Sequence, residues 1–113
     1  MMKLEGNVER GSPLALFSYL VIASIPPLKK DAYGLRIAHR LIRDLGTLID
    51  PGQIYLTLKR LKKRGLVQFD PKINTDDERK KVYVVTKLGI KAMDKAELYI
   101  GLATKMMATR KLV

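Results

Sequence analysis

Asp50-Pro51-Gly52-Gln53-Ile54-Tyr55-Leu56-Thr57-Leu58-Lys59-Arg60-Leu61-Lys62-Lys63-Arg64-Gly65 carries its own helix start, helix stop, apolar stripe and charge. Asp50 can accept a backbone N–H as an N-cap, and Pro51 suits the first helical position, where no N–H is needed. Gly65 can take the left-handed conformation that closes a helix. Ile54, Leu58 and Leu61 recur at helical spacing and form the inward stripe. Gln53, Thr57, Arg60 and Arg64 are then expected on the outward face, with Lys59, Lys62 and Lys63 on the flanks. Five of the six residues from Lys59 to Arg64 are basic. A lysine-rich helix on its own is more often a solvated surface than a binding site. A basic helix followed by a two-stranded ribbon is a device for entering the major groove of DNA.

The charge of the whole chain points the same way. Lys plus Arg number 22 against 11 Asp plus Glu, for a net charge of +11 and a pI near 10.0. Within residues 1–28, Lys3 and Arg10 cancel Glu5 and Glu9, so the entire excess lies between Lys29 and Val113. A basic domain with clustered Lys and Arg has the electrostatic footprint of a phosphate-binding surface. A membrane surface is the other anionic partner, but the narrow apolar stripe of the basic helix suits a core better than lipid.

At 113 residues and 47% hydrophobic content, one folded domain is expected. There is no Cys, which removes disulfides, cysteine-based zinc sites and thiol catalysis. The longest apolar run, Leu14 to Ile25, is interrupted by Ser18 and Ser24 and is too short to span a bilayer. The mixed charge before it does not make a signal peptide, and a cytoplasmic location is expected.

Along the chain, residues 1–11 read as a polar start. Ser12-Pro13 caps a helix from Leu14 to Ile25, ended by Pro26-Pro27. Asp31 caps a second helix to Leu45, ended by Gly46. Its inward positions are Leu35, Ala38, Leu41, Ile42 and Leu45, and its outward positions include Arg36, Arg40 and Arg43. Thr47-Leu48-Ile49 is a short extended piece before the basic helix. Leu66 to Asp70 and Lys80 to Val85 alternate as strands across a turn-rich segment from Pro71 to Glu78. Thr86 caps a last helix to about Lys111. Two helices joined by a short turn, the second followed by a hairpin, make a winged helix-turn-helix, an α+β fold of three core helices and a two-stranded β-wing.

These residues resemble the PadR-type transcriptional regulators. Tyr33-Gly34-Leu35-Arg36-Ile37 is similar to that family's "YGYEI" helix start, and Asp50 to Leu61 to its "SPGTLYPALKRL". Gly65-Leu66-Val67 matches the "GLV" that leads into the wing, and Arg79 to Gly89 resembles "RRKYYRLTEAG". The resemblance covers roughly residues 14 to 93. It implies a winged-helix, DNA-binding repressor that works as a homodimer. Leu56 stands where the family has Pro, and Val84 where it has Arg. Asp76-Asp77-Glu78 puts acids at the wing tip, where phosphates would repel them. Either the tip points away from DNA or the wing contacts DNA only through Lys72, Arg79, Lys80 and Lys81, and the second is the expectation. The resemblance also raises a small-molecule effector, for which the only room foreseen is between the dimer helices.

The last helix carries a wide apolar stripe of Leu88, Ala92, Ala96, Tyr99, Ile100, Ala103, Met106 and Met107. One small domain has too little core to cover a helix ~37 Å long, so this stripe is expected to be a two-fold seam. The alternative is a helix folded back on its own core. The expected division is residues 1–86 as the DNA-binding part and residues 87–113 as the C-terminal dimerisation helix, in a single compact domain.

Sorting the contacts gives Arg40, Lys59, Arg60, Lys63, Arg79, Lys80 and Lys81 as phosphate binders. Gln53, Thr57 and Tyr55 are the base-reading candidates. Tyr55 has a rival reading as a half-buried residue packed on the second helix. No enzyme is expected. His39, the only histidine, has no evident catalytic partner, and no phosphate loop or metal-spaced cluster is present, so no cofactor or metal is foreseen. The function expected is a sequence-specific double-stranded DNA-binding regulator, a repressor by resemblance. The alternatives are a non-specific architectural DNA protein and a winged-helix protein–protein adaptor.

Overall fold

The computed structural model describes residues 14–46 and 49–109. The expectations for residues 1–11, Ser12-Pro13, Thr47-Leu48 and the helix end near Lys111 lie outside the described residues. Helix α1 spans Leu16–Ala23, and a single further turn, α2, spans Ile25–Leu28. A 3-10 turn at Lys29–Asp31 leads to α3, Gly34–Leu45, and then α4, Pro51–Lys63. Strand β1 is Val67–Phe69, a second 3-10 turn is Glu78–Lys80, β2 is Tyr83–Val85, and α5 is Lys87–Thr109. This is a winged helix with a long C-terminal helix.

The prolines act differently from the sequence expectation. Ser24 breaks the first helix, with its hydroxyl donating back to the Val21 carbonyl at 2.7 Å. Pro26 and Pro27 then fall in the first turn of α2, where a missing N–H costs nothing. They start a turn rather than end a helix.

Helix α3 is also rotated from the expected phase. Its buried residues are Ile37, Ala38 and Leu41, while Leu35 is 52% exposed and Leu45 lies at the surface. Asp31 sits in the 3-10 turn, and Tyr33 takes the N-cap position without a side-chain bond. The cause is tertiary. Tyr33 pairs as an isolated bridge with Val82, and the Tyr83 N–H donates to the Ala32 carbonyl at 2.8 Å. The wing thus grips the chain just before α3 and sets where that helix begins. Gly46 ends it with φ 61°, as the sequence indicates.

Beneath α4 lies the core. Ile22, Ile25, Ile37, Ile54, Leu58, Leu61, Val21 and Val67 are its largest fully buried side chains. The wing is one antiparallel ladder, with Val67 opposite Val85, Gln68 opposite Val84 and Phe69 opposite Tyr83.

A compact junction joins α4, the wing and α5. The Gly89 N–H donates to the Thr86 hydroxyl oxygen at 3.0 Å, so Thr86 caps α5 as expected. That hydroxyl donates in turn to the Gly65 carbonyl at 2.7 Å, and the Thr86 N–H bonds the Leu66 carbonyl at 3.0 Å. Gly89 is buried, and a Cβ there would run into the Leu66 carbonyl oxygen. The start of α5 is therefore pressed backbone to backbone onto the root of the wing.

Candidate nucleic-acid interface

Helix α4 is closed at both ends by its own sequence. The Asp50 carboxylate accepts the Gly52 N–H at 3.0 Å, and Pro51 takes the first turn. At the other end Gly65 has φ 78°. Its N–H bonds the Lys62 carbonyl, and the Leu66 N–H bonds the Leu61 carbonyl, both at 3.0 Å. These paired bonds satisfy carbonyls the helix would otherwise leave open.

One site expectation is corrected here. Thr57 is 8% exposed and belongs to the inner face, so it cannot meet a base edge. It lies three residues after Ile54 and four before Leu61, a spacing that places all of them on one side of a helix. Gln53, Tyr55, Leu56, Lys59, Arg60, Lys62 and Lys63 are exposed. Both readings of Tyr55 hold in part. Its ring packs on α3, where a Cβ added at Gly34 would lie 2.6 Å from the Tyr55 Cε1 atom, yet the residue is still surface-exposed.

The other expected phosphate binders divide by their neighbours. Lys59, Arg60 and Lys63 line the outside of α4, where residues 51–64 hold five bases and no acid. Arg40, on α3, is half-buried, and its Nε lies 3.2 Å from Asp44, which also pairs with Arg43 at 3.3 Å. In the wing, Arg79 Nε lies 3.2 Å from Asp77 and Lys81 Nζ 3.9 Å from Glu78. Asp77 also accepts the Arg79 backbone N–H at 3.0 Å. The Arg79 side chain, then its backbone N–H, hold the Asp77 carboxyl below the usual carboxylate range. Residues 70–81 carry four bases and four acids, so this segment has no net charge.

The wing root holds a feature that sequence reading missed. The Phe69 and Tyr83 rings, opposite each other in the ladder, lie 5.1 Å apart at 55°. Lys62 Nζ sits 4.6 Å from the Phe69 ring centre and Lys81 Nζ 5.2 Å from it. Burial, and then the Glu78 charge, push the Tyr83 hydroxyl above its ordinary value. An open cleft of about 890 Å³ separates the wing from the start of α3, walled by Tyr33, Tyr55, Phe69 and Tyr83 among others. Alternation in the strand sequences could have paired Phe69 with Tyr83, had the register been known. Nothing in the linear order brings Lys62 to them.

The α5 stripe also divides. Ala96 is 2% exposed and buried in the chain's own core, and Ala92 and Met93 pack against that core. Ile100 is half-buried, Leu88, Tyr99 and Ala103 are exposed, and Met106 and Met107 are about 70% exposed. Leu98 and Leu102, absent from the expected stripe, are exposed as well. The folded-back reading therefore describes the first half of α5. The Tyr19 hydroxyl fixes that half further by donating to Glu97 at 2.7 Å. His39 lies exposed on α3. No helix among the described residues is long and apolar enough to cross a membrane.

A winged helix with the basic α4 matches the family model of PadR-like transcriptional regulators over residues 25–95. The chain belongs to the PadR-like family. Its PadR-like fold is shared with solved structures of low sequence identity. A PadR family transcription regulator from Clostridium difficile superposes with TM-score 0.65 at 24% identity, over 83% of this chain and 96% of that one. A transcriptional regulator from Thermoplasma acidophilum gives 0.61 at 21% identity, over 93% and 99%. A PadR family regulator from Eggerthella lenta gives 0.59 at 21% identity, over 95% and 91%. No curated protein matches the chain in sequence. In this PadR-like chain the residues matched by the family model include α3, α4, the wing and the first part of α5.

Proposed function

We propose that the protein is a sequence-specific transcriptional repressor that binds double-stranded DNA as a homodimer, with α4 in the major groove and the wing along the phosphate backbone. Helix α4 carries this reading. It is capped at both ends, buried along one face, and exposed along a face rich in bases and free of acids. Lys59, Arg60 and Lys63 supply sequence-independent attraction to phosphates. Base reading falls to Gln53, which can pair bidentately with adenine, with Tyr55 and Leu56 beside it. Arg40, Arg79, Lys80 and Lys81 are secondary phosphate contacts.

The far half of α5 supports the dimer. Leu98, Tyr99, Leu102, Met106 and Met107 leave an apolar face in water, a surface that soluble chains rarely leave uncovered. Residues 87–113 serve in this reading as the dimerisation helix, with the seam lying beyond Ala96. A two-fold axis there would set two α4 helices into successive major grooves ~34–36 Å apart.

Selection of bound duplexes from a random pool, with sedimentation of the free protein, tests this. A recovered palindrome and a dimeric mass are expected. Gln53→Ala should relax preference at one position of that site, at a cost of about 1–3 kcal/mol. Salt-labile binding with no preferred sequence would instead make the protein architectural, and no duplex binding would make it an adaptor.

A further inference from the structure

The wing has no net charge across residues 70–81, yet two lysines converge at its root. Lys62, from the last turn of α4, and Lys81, from the wing, hold their ammonium groups 4.6 Å and 5.2 Å from the centre of the one Phe69 ring. The negative face of the ring attracts each cation. Both ammonium groups keep their positive charge beside the same ring, and an anion that reaches the seam is attracted by each. Among the described residues Lys62 has no ion-pair partner. Lys81 has only Glu78, at 3.9 Å and largely exposed, a pair that solvent weakens. The Phe69 ring is itself held from across the ladder by Tyr83, 5.1 Å away. The cleft between the wing and α3 opens onto Phe69 and Lys81, so the Lys81 side of the ring is reachable from outside.

We propose that Lys62 and Lys81 form a composite site for the backbone phosphates of duplex DNA at the seam between α4 and the wing, with Phe69 as the positioning residue that seats both. This rests on the reading of the chain as a duplex-binding regulator. It gives Lys62 a phosphate and couples that contact to the one made by Lys81 at the wing root. Phosphate takes Lys81 from Glu78. One lysine comes from the recognition helix and one from the wing, so an occupied site ties the angle of the wing to the seating of α4.

The salt dependence of binding to the selected duplex tests the site, with thermal melts run beside it. The Lys62→Ala, Lys81→Ala double variant should flatten the plot of log affinity against log salt by about 0.9 for each phosphate no longer neutralised. Phe69→Leu should give at least half of that flattening with both lysines still present, and Phe69→Trp should restore the slope. Adding Lys62→Ala to Phe69→Leu should cost less than Lys62→Ala alone. An unchanged slope in the lysine double variant overturns the site without any change to the ring, so the test survives a poorly folded Phe69→Leu. Full additivity of Phe69→Leu with Lys62→Ala overturns the role of the ring. Slope that disappears in Lys59→Ala, Lys63→Ala but persists in all of these variants leaves the DNA reading standing and overturns the composite site. A wild-type protein with no salt-dependent duplex binding overturns both.

Discussion

Helix α4 and the wing hold similar numbers of basic residues and use them in opposite ways. Residues 51–64 carry five bases and no acid, whereas residues 70–81 carry four bases and four acids. In the wing the acids are placed against the bases: Asp77 on Arg79 at 3.2 Å, Glu78 near Lys81 at 3.9 Å. Basic content therefore does not translate directly into attraction for phosphate. What counts is whether the fold supplies a carboxylate first. On the helix Lys59, Arg60 and Lys63 lie exposed on a segment without acids, whereas in the wing Arg79 and Lys81 already face carboxylates.

The sharpest way to break this comparison is to remove charge from each side in turn. Lys59→Ala, Arg60→Ala and Lys63→Ala together should weaken duplex binding by roughly 100-fold or more near physiological salt, since each phosphate contact contributes about 0.9 to the salt slope. Arg79→Ala with Lys80→Ala should cost less than about 10-fold under the same conditions. Equal effects in a binding titration would put the wing on the same footing as the helix.

The two regions also differ in how they are held. Gly89→Ala pushes a Cβ into the Leu66 carbonyl at the wing root and should cost on the order of 1–3 kcal/mol, visible as a fall in melting temperature. Asp50→Ala removes the cap of α4 and should cost about 1 kcal/mol in a denaturant titration. A smaller effect for Gly89→Ala than for Asp50→Ala would mean that the wing junction yields more readily than the helix cap.

The smallest expected effect lies at the wing tip. Asp77→Asn releases Arg79 and should tighten duplex binding a few-fold with a steeper salt slope. The pH dependence follows from the direction of the Asp77 shift. Its folded value is lowered by Arg79 from an unfolded value near ~3.9. The pair's contribution is therefore complete above the unfolded value and is lost as pH falls through the lowered folded one. Duplex affinity should show no step from Asp77 between ~pH 5 and ~8. A step that disappears in Asp77→Asn would mean the pair is already open in that window.

Particular residues mark how far the chain could be read in advance. The ends of α4 followed from Asp50, Pro51 and Gly65, and the cap of α5 from Thr86, because capping is settled within a few residues of chain. The hairpin followed from alternation. Thr57 was misplaced because a three-residue stripe, Ile54, Leu58 and Leu61, leaves the flank of the buried face undecided, and a small polar residue can lie on either side of it. The phase of α3 was misjudged for a different reason. Its start is set by the grip of Tyr83 on Ala32, a contact between segments some fifty residues apart in the chain.

The sequence alone determined what is local: helix ends, strand periodicity, the concentration of positive charge on α4, and the motifs shared with PadR-like regulators. Capping, periodicity and net charge depend on near neighbours in the chain, so they can be read from its order. Only the tertiary structure decided which charges are neutralised, that Ala96 belongs to the core while Met106 and Met107 do not, and that Lys62 and Lys81 meet on Phe69. Those outcomes depend on which surfaces approach in space, and approach is fixed by packing against the core.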